Sequence, residues 1–158
     1  MEKLISSNPN FLSAKKRNMS SEAFLVKGNC TLNGTIEPQG AKNEALQVIC
    51  ATMLTSDPVI IHNIPDIVDV RKLIALLAGL GVEVLNLGGS SYSFRARDID
   101  LDYLQSDRYE ADARKIRGSV MLIAPMLARF GKAYLPKPGG DKIGRRRLDT
   151  HFHGFEAL

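Results

Sequence analysis

A chain of 158 residues, 44% hydrophobic and 24% charged, is about one domain long and has the composition of an ordinary globular protein. Its net charge of +4 comes largely from Lys3, Lys15, Lys16 and Arg17 against Glu2; the residues after Met19 carry only +1, which argues against a nucleic-acid surface. No apolar run approaches the roughly 20 residues that span a bilayer, and residues 1–22 lack the apolar stretch of a secretory signal, so the expected location is the cytoplasm, with no membrane partner.

In chain order, residues 1–22 are polar, rich in Ser and Asn and without periodicity, and are expected to be disordered. Phe24–Lys27 and Thr31–Glu37 are expected as two short strands, ended by Pro38 to Gly40. From Ala41 to Leu54, apolar residues at Leu46, Ile49, Cys50, Met53 and Leu54 form a helical stripe, which Asp57-Pro58 breaks. Val59–Ile61 is expected as a short buried strand. A second helix carries Ile67, Val70, Leu73, Leu77 and Leu80 on one face, with Asp66 as its N-cap and Gly81 at its C-terminal end. Val82–Leu87 and Tyr92–Ala96 flank Gly88-Gly89-Ser90-Ser91 and predict a hairpin, with Tyr92, Phe94 and Ala96 on its buried face.

The order of elements then starts again. Ala111–Phe130 is expected as one long helix, with Ile116, Val120, Ile123 and Leu127 on a face and a kink or break at Pro125. Lys132–Leu135 is expected as a strand. After a glycine-rich loop, Leu148, Phe152 and Phe155 mark an amphipathic helix still running at Leu158. Cys30 and Cys50 have no metal-like spacing and form no constellation with His62, His151 and His153, so no structural metal is expected.

The loop carries the chemistry. Pro138 to His151 packs Gly139, Gly140 and Gly144 with Lys142, Arg145, Arg146 and Arg147 around Asp141. Glycines let backbone N–H groups approach a ligand, and guanidiniums are forked donors suited to phosphate or carboxylate. A glycine turn before a solvated basic helix start is the plainer alternative. Gly139 and Gly144 also have the spacing of a nucleotide-binding P-loop, but Arg145-Arg146 stands where its Lys-Ser/Thr pair belongs. Near the start of the first helix, Lys42 and Asn43 sit where orphan N–H groups and the helix dipole favour anions.

Pro138 to His151 resembles the active-site loop of the UDP-N-acetylglucosamine enolpyruvyl transferases. Gly40-Ala41-Lys42-Asn43-Glu44-Ala45-Leu46 resembles the N-terminal motif of that family, and Ile116-Arg117-Gly118-Ser119 with Ala128-Arg129-Phe130-Gly131 is a third match. The three stand in family order and the similarity runs from about Phe24 to Leu158. Because it begins after Met19, Met19 is expected as an alternative or true start. The resemblance implies an α/β (α+β) fold, an inside-out α/β barrel of βαβαββ units with helices inside and sheets outside, incomplete in this chain. Residues 23–40 would then be strands of the family's other domain, and residues 41–158 an unfinished repeat domain bearing the active-site loop.

The activity implied is transfer of the enolpyruvyl group of phosphoenolpyruvate to the 3-hydroxyl of UDP-N-acetylglucosamine, the first committed step of peptidoglycan synthesis. The partners are these two substrates and the missing C-terminal domain of the same protein, with no cofactor. Carried over position by position, Asp141 would deliver a proton, Lys42 and Arg146 would engage phosphate, Asn43 the sugar nucleotide and Arg117 the cleft. Asp149, Thr150 and His151 would line the uridine site, mostly through backbone groups, with Arg147 and Leu148 as further substrate-binding residues. Most members carry Cys at the position of Asp141, the thiol alkylated by fosfomycin, so insensitivity to that drug is expected; Arg147 stands where Pro is common. The cations around Asp141 favour its ionised form, whereas an acid needs its proton. Substrate phosphates that neutralise those cations, and loop closure that removes water, would make it a competent acid only in the closed ternary complex. The sister transferase acting on shikimate 3-phosphate and a non-enzymatic phosphate- or nucleotide-binding module are the alternatives, and this chain alone is expected to be inactive.

Overall fold

The computed structural model describes residues 28–29, 31–137, 139, 144 and 147–157. In it the stripe Ala45, Leu46, Ile49, Cys50 and Met53 is buried along helix α1 (Lys42–Ala51) and the 3-10 turn that continues it, Thr52–Leu54. The Thr52 hydroxyl donates to the Ile49 carbonyl at 2.7 Å. Tightening from α to 3-10 winding turns Leu54, expected on the buried stripe, out to 54% exposure.

Helix α2 (Val68–Gly79) starts later than expected. Its N-cap is Ile67, with no side-chain cap bond, and Asp66 instead faces Arg71 at 3.4 Å. A missing cap costs about 1 kcal/mol, whereas each large apolar side chain fully buried contributes roughly 1.5–3 kcal/mol, and Val70, Leu73, Leu76 and Leu77 are all buried here. Packing therefore outweighs the cap. The C-terminal end follows the expectation for Gly81: its N–H donates to the Ala78 carbonyl and the Val82 N–H to the Leu77 carbonyl, both at 3.1 Å. Gly81 takes φ +97, which a side chain would strain.

Strands β1 (Val59–Ile61), β2 (Glu83–Gly88) and β3 (Ser91–Arg95) form an antiparallel sheet in the order β1-β3-β2. Val59 and Val84 both pair with Phe94, which is fully buried. The turn uses three positive-φ residues in a row, Gly88, Gly89 and Ser90. Strand β1 is not the buried strand expected: Ile60 is 55% exposed, because the sheet is covered on one face only and side chains alternate. Helix α2 and the 3-10 turn after α1 pack against the sheet, and their buried residues share one core with Phe94 and Ala96.

Residues 111–130 do not form a single helix. Helix α3 (Asp107–Ala113) ends early, Ile116 is extended (φ −135, ψ 141) and buried, Arg117–Leu122 is a 3-10 turn, and helix α4 spans Ile123–Phe130. Pro125 falls in the first turn of α4, where its missing N–H costs no helix bond; the interruption lies upstream, at Arg114–Ile116. Helix α5 covers Asp149–Glu156 with no buried residue, Ala157 is a turn, and Leu158 lies outside the described residues.

Neither Thr31–Glu37 nor Lys132–Leu135 is a strand among the described residues. A strand needs a ladder partner for its backbone groups. Near the second segment the Tyr134 carbonyl accepts from the Tyr109 hydroxyl at 2.9 Å, a side-chain bond in place of a ladder bond. The chain divides into two units, 1–36 and 37–158. In the first, Leu32 and Ile36 are 92% and 90% exposed, and residues 1–27, with the strand expected at Phe24–Lys27, lie outside the described residues. Among the described residues no helix is long and apolar enough to cross a membrane.

Burial raises the Cys50 thiol from 9.0 to about 12 and the Tyr109 phenol from 10.0 to about 12, the phenol also feeling Cys50, Tyr103 and Tyr134. Both groups hold their protons more tightly when folded. Their contribution is therefore whole below pH 9 and lost as pH rises toward 12. By pH 11 the loss is roughly 4 kcal/mol. Urea midpoints taken between pH 8 and 11 are expected to fall steeply above pH 9 and less steeply in Cys50→Ala; a flat profile contradicts this.

Candidate active site

The motif Ile116-Arg117-Gly118-Ser119 shows how the chain is bent to build a site. Ile116 is buried 1% exposed and anchors the break. The fully buried Ser119 hydroxyl lies 2.9 Å from the carbonyl oxygens of both Ala113 and Ile116, so it satisfies the end of α3. At Gly118 a Cβ would come within 3.1 Å of the Leu46 side chain, so the missing side chain lets this turn close on α1. Arg117 is thereby brought to the same cleft as Lys42 and Asn43 of α1.

The N-cap of helix α1 is Ala41, whose carbonyl accepts from the Ala45 N–H at 3.0 Å and which offers no side-chain cap. Its first-turn N–H groups are left for other acceptors. From the far side, Leu148, His151 and Phe155 of α5 and the segment before it reach the cleft, and α2 contributes Val68, Asp69 and Lys72. The cleft has a volume of about 830 Å³, within the range of small-molecule sites.

Five cations line it among the described residues, Lys42, Lys72, Lys115, Arg117 and Arg147, against one carboxylate, Asp69. Several of these charges are already paired. The Lys42 ammonium meets Asp69 at 2.5 Å, Lys115 meets Asp112 at 2.7 Å, and Arg147 holds Asp149 through two nitrogens at 2.6 Å each. The arrangement suits an anion carrying phosphate or carboxylate groups, with both guanidinium forks and ammonium points in its lining.

Of the residues singled out from sequence, Lys42, Asn43, Arg117, Arg147, Leu148 and His151 meet around this cleft. Asp149 and Thr150 do not line it; Asp149 sits in the first turn of α5, its carboxylate taken by Arg147, and Thr150 is exposed. Asp141 and Arg146 lie outside the described residues. At Gly139 a Cβ would overlap the Arg114 carbonyl oxygen, so Gly139 lies close against the end of α3. Asp69, Lys72 and Lys115 are cleft residues that sequence reasoning missed. The signal was present for the first two: with Val70, Leu73 and Leu77 buried, positions 69 and 72 fall beside the packed face of α2. Ala128–Gly131 is not part of the cleft, and Arg129 turns to the carbonyls of Met53, Thr55 and Ala96.

Comparison with known proteins adds a family. A family model for EPSP synthase (3-phosphoshikimate 1-carboxyvinyltransferase) matches residues 26–158. The chain is 58% identical over 136 residues to a UDP-N-acetylglucosamine 1-carboxyvinyltransferase of Bacteroides fragilis, covering 86% of this chain and 31% of the relative. Relatives of the same name from Porphyromonas gingivalis and Treponema denticola are 51% identical over 136 residues and 40% identical over 135. These two alignments cover 86% and 85% of this chain and 31% of each relative. The chain thus spans just under a third of the length of the curated relatives it matches.

Proposed function

Since the chain belongs to the EPSP synthase (3-phosphoshikimate 1-carboxyvinyltransferase) family, we propose that it forms part of an enzyme that moves the carboxyvinyl group of phosphoenolpyruvate onto the 3-hydroxyl of UDP-N-acetylglucosamine. The observation that carries this reading is the 58% identity, over 86% of the chain, to a relative named for that transfer. The cationic cleft supports it, because both substrates are anions and the residues that match the family's motifs at Lys42, Asn43 and Arg117 share one wall system.

In this reading the sugar hydroxyl gives its proton to a base supplied by the rest of the protein and adds to C2 of phosphoenolpyruvate while C3 takes a proton from Asp141; C3 then returns a proton to a base as phosphate leaves with the C2–O bond electrons and the double bond re-forms. The cations act by holding phosphate and carboxylate in place and by stabilising charge that develops on them. Lys42 and Arg146 engage phosphate, Asn43 the sugar nucleotide, and Arg117 a substrate group within the cleft. Arg147 steadies the start of α5 through Asp149, so the uridine is met mainly by backbone groups of residues 149–151. No metal or organic cofactor is needed by this chemistry. The rest of the protein supplies a second lobe that closes over the cleft, and the α1-β1-α2-β2-β3 order would correspond to the later part of one βαβαββ unit of an inside-out barrel. The product is a cytoplasmic precursor of peptidoglycan.

The family description also names 3-phosphoshikimate, so shikimate 3-phosphate is the second acceptor to try. Phosphate release by a full-length protein carrying this chain is expected with phosphoenolpyruvate and UDP-N-acetylglucosamine together, and not with either alone. Release with shikimate 3-phosphate in place of the sugar nucleotide would move the assignment to the sister reaction; release with neither acceptor would leave an anion-binding protein.

A further inference from the structure

We infer that Asp69 is a positioning residue for Lys42, holding its ammonium in the cleft for the phosphate or carboxylate of an anionic substrate; this rests on the function proposed above. Lys42 is the first residue of α1, the positive end of the helix dipole and an unfavourable place for a cation. Its ammonium nevertheless stays there, 2.5 Å from a carboxylate in the first turn of α2, where the dipole of that helix favours negative charge. The contact therefore ties the starts of two helices together across the cleft wall. Asp69 is the one acidic side chain lining the cleft among the described residues, and it meets Lys42 rather than Lys72, one turn along its own helix.

An ammonium has three N–H donors. One directed at Asp69 leaves two for a phosphate, so the substrate need not displace the carboxylate. A lysine stem is otherwise floppy, and fixing it costs rotamer entropy that substrate binding would have to supply. Asp69 removes that cost before the substrate arrives. Both side chains are about half exposed, at 49% and 39%, so the pair contributes little to folding and its loss is not expected to unfold the protein.

The test uses the full-length protein, with calorimetric binding of phosphoenolpyruvate and steady-state phosphate release measured side by side. Asp69→Ala is expected to weaken phosphoenolpyruvate binding and raise its KM by about tenfold with kcat changed less than twofold, while Asp69→Glu recovers part of the loss. In a Lys42→Ala background, Asp69→Ala should change binding no further, since the residue it positions is gone. Tighter binding in Asp69→Ala would mean that the carboxylate competes with phosphate, and an equal loss in both backgrounds would mean a structural role; either overturns the proposal. A wild-type protein that releases no phosphate removes the proposed function and this inference together. An active wild type whose Asp69→Ala form binds equally well removes this inference alone.

Discussion

Asp141→Asn in the full-length protein is expected to lower phosphate release by about 10²–10⁴-fold, the usual worth of a positioned acid. The amide keeps the shape and the hydrogen-bonding capacity of the side chain but has no proton to give. Its neighbours in sequence are the cations Lys142, Arg145 and Arg146. Binding of both substrates should therefore survive the substitution while chemistry fails, a fall in kcat with little change in KM. Asp141→Cys should restore much of the turnover, since a thiol can also deliver a proton, and should gain a fosfomycin adduct that the wild-type loop lacks. Turnover unchanged in Asp141→Asn would take the acid role away from this residue, and fosfomycin labelling of the wild-type loop would contradict the expected insensitivity.

Arg129→Met is expected to destabilise the fold by about 3 kcal/mol, a drop of roughly 6–12 °C in Tm for a domain of this size. One terminal nitrogen of Arg129 reaches the carbonyls of Met53 and Thr55 at 2.9 Å and of Ala96 at 2.6 Å, and the guanidinium carbon lies 4.8 Å from the Phe130 ring centroid. The three acceptors belong to the end of the α1 turn and the end of β3, so one side chain clips helix, sheet and α4 together. Methionine fills the space of the stem and leaves three carbonyls without that donor, in a setting only partly open to water. Arg71→Met breaks an exposed contact at 3.4 Å and should shift stability by less than about 0.5 kcal/mol. Urea midpoints of the two variants decide the matter: equal small shifts would remove Arg129 as a clip.

The two helices α1 and α2, the hairpin and the Gly81 stop were legible because each rests on local pattern: a stripe at helical spacing, alternation at two, a glycine where φ turns positive. So were the glycine- and arginine-rich loop and the match of Lys42, Asn43 and Arg117 to one family. These depend on residue types and spacing, which a chain carries before it folds.

What depended on distant contacts was not legible. The segment 111–130 has a helical stripe, yet Ser119 takes the carbonyls at its break and Gly118 admits Leu46, choices that exist only once α1 is packed alongside. Lys132–Leu135 has strand-like residues but no ladder partner among those described, and a strand is a property of a pair. The same reason hid Asp69. Its carboxylate is one of many along the chain until folding sets it 2.5 Å from a lysine 27 positions earlier. The sequence by itself determined the family, the cationic character of the loop and most of the helical elements, because composition and periodicity are local. Only the tertiary structure decided which cations share a cleft, which carboxylate holds Lys42 and which arginine is a clip, because those depend on distances between residues far apart in the chain.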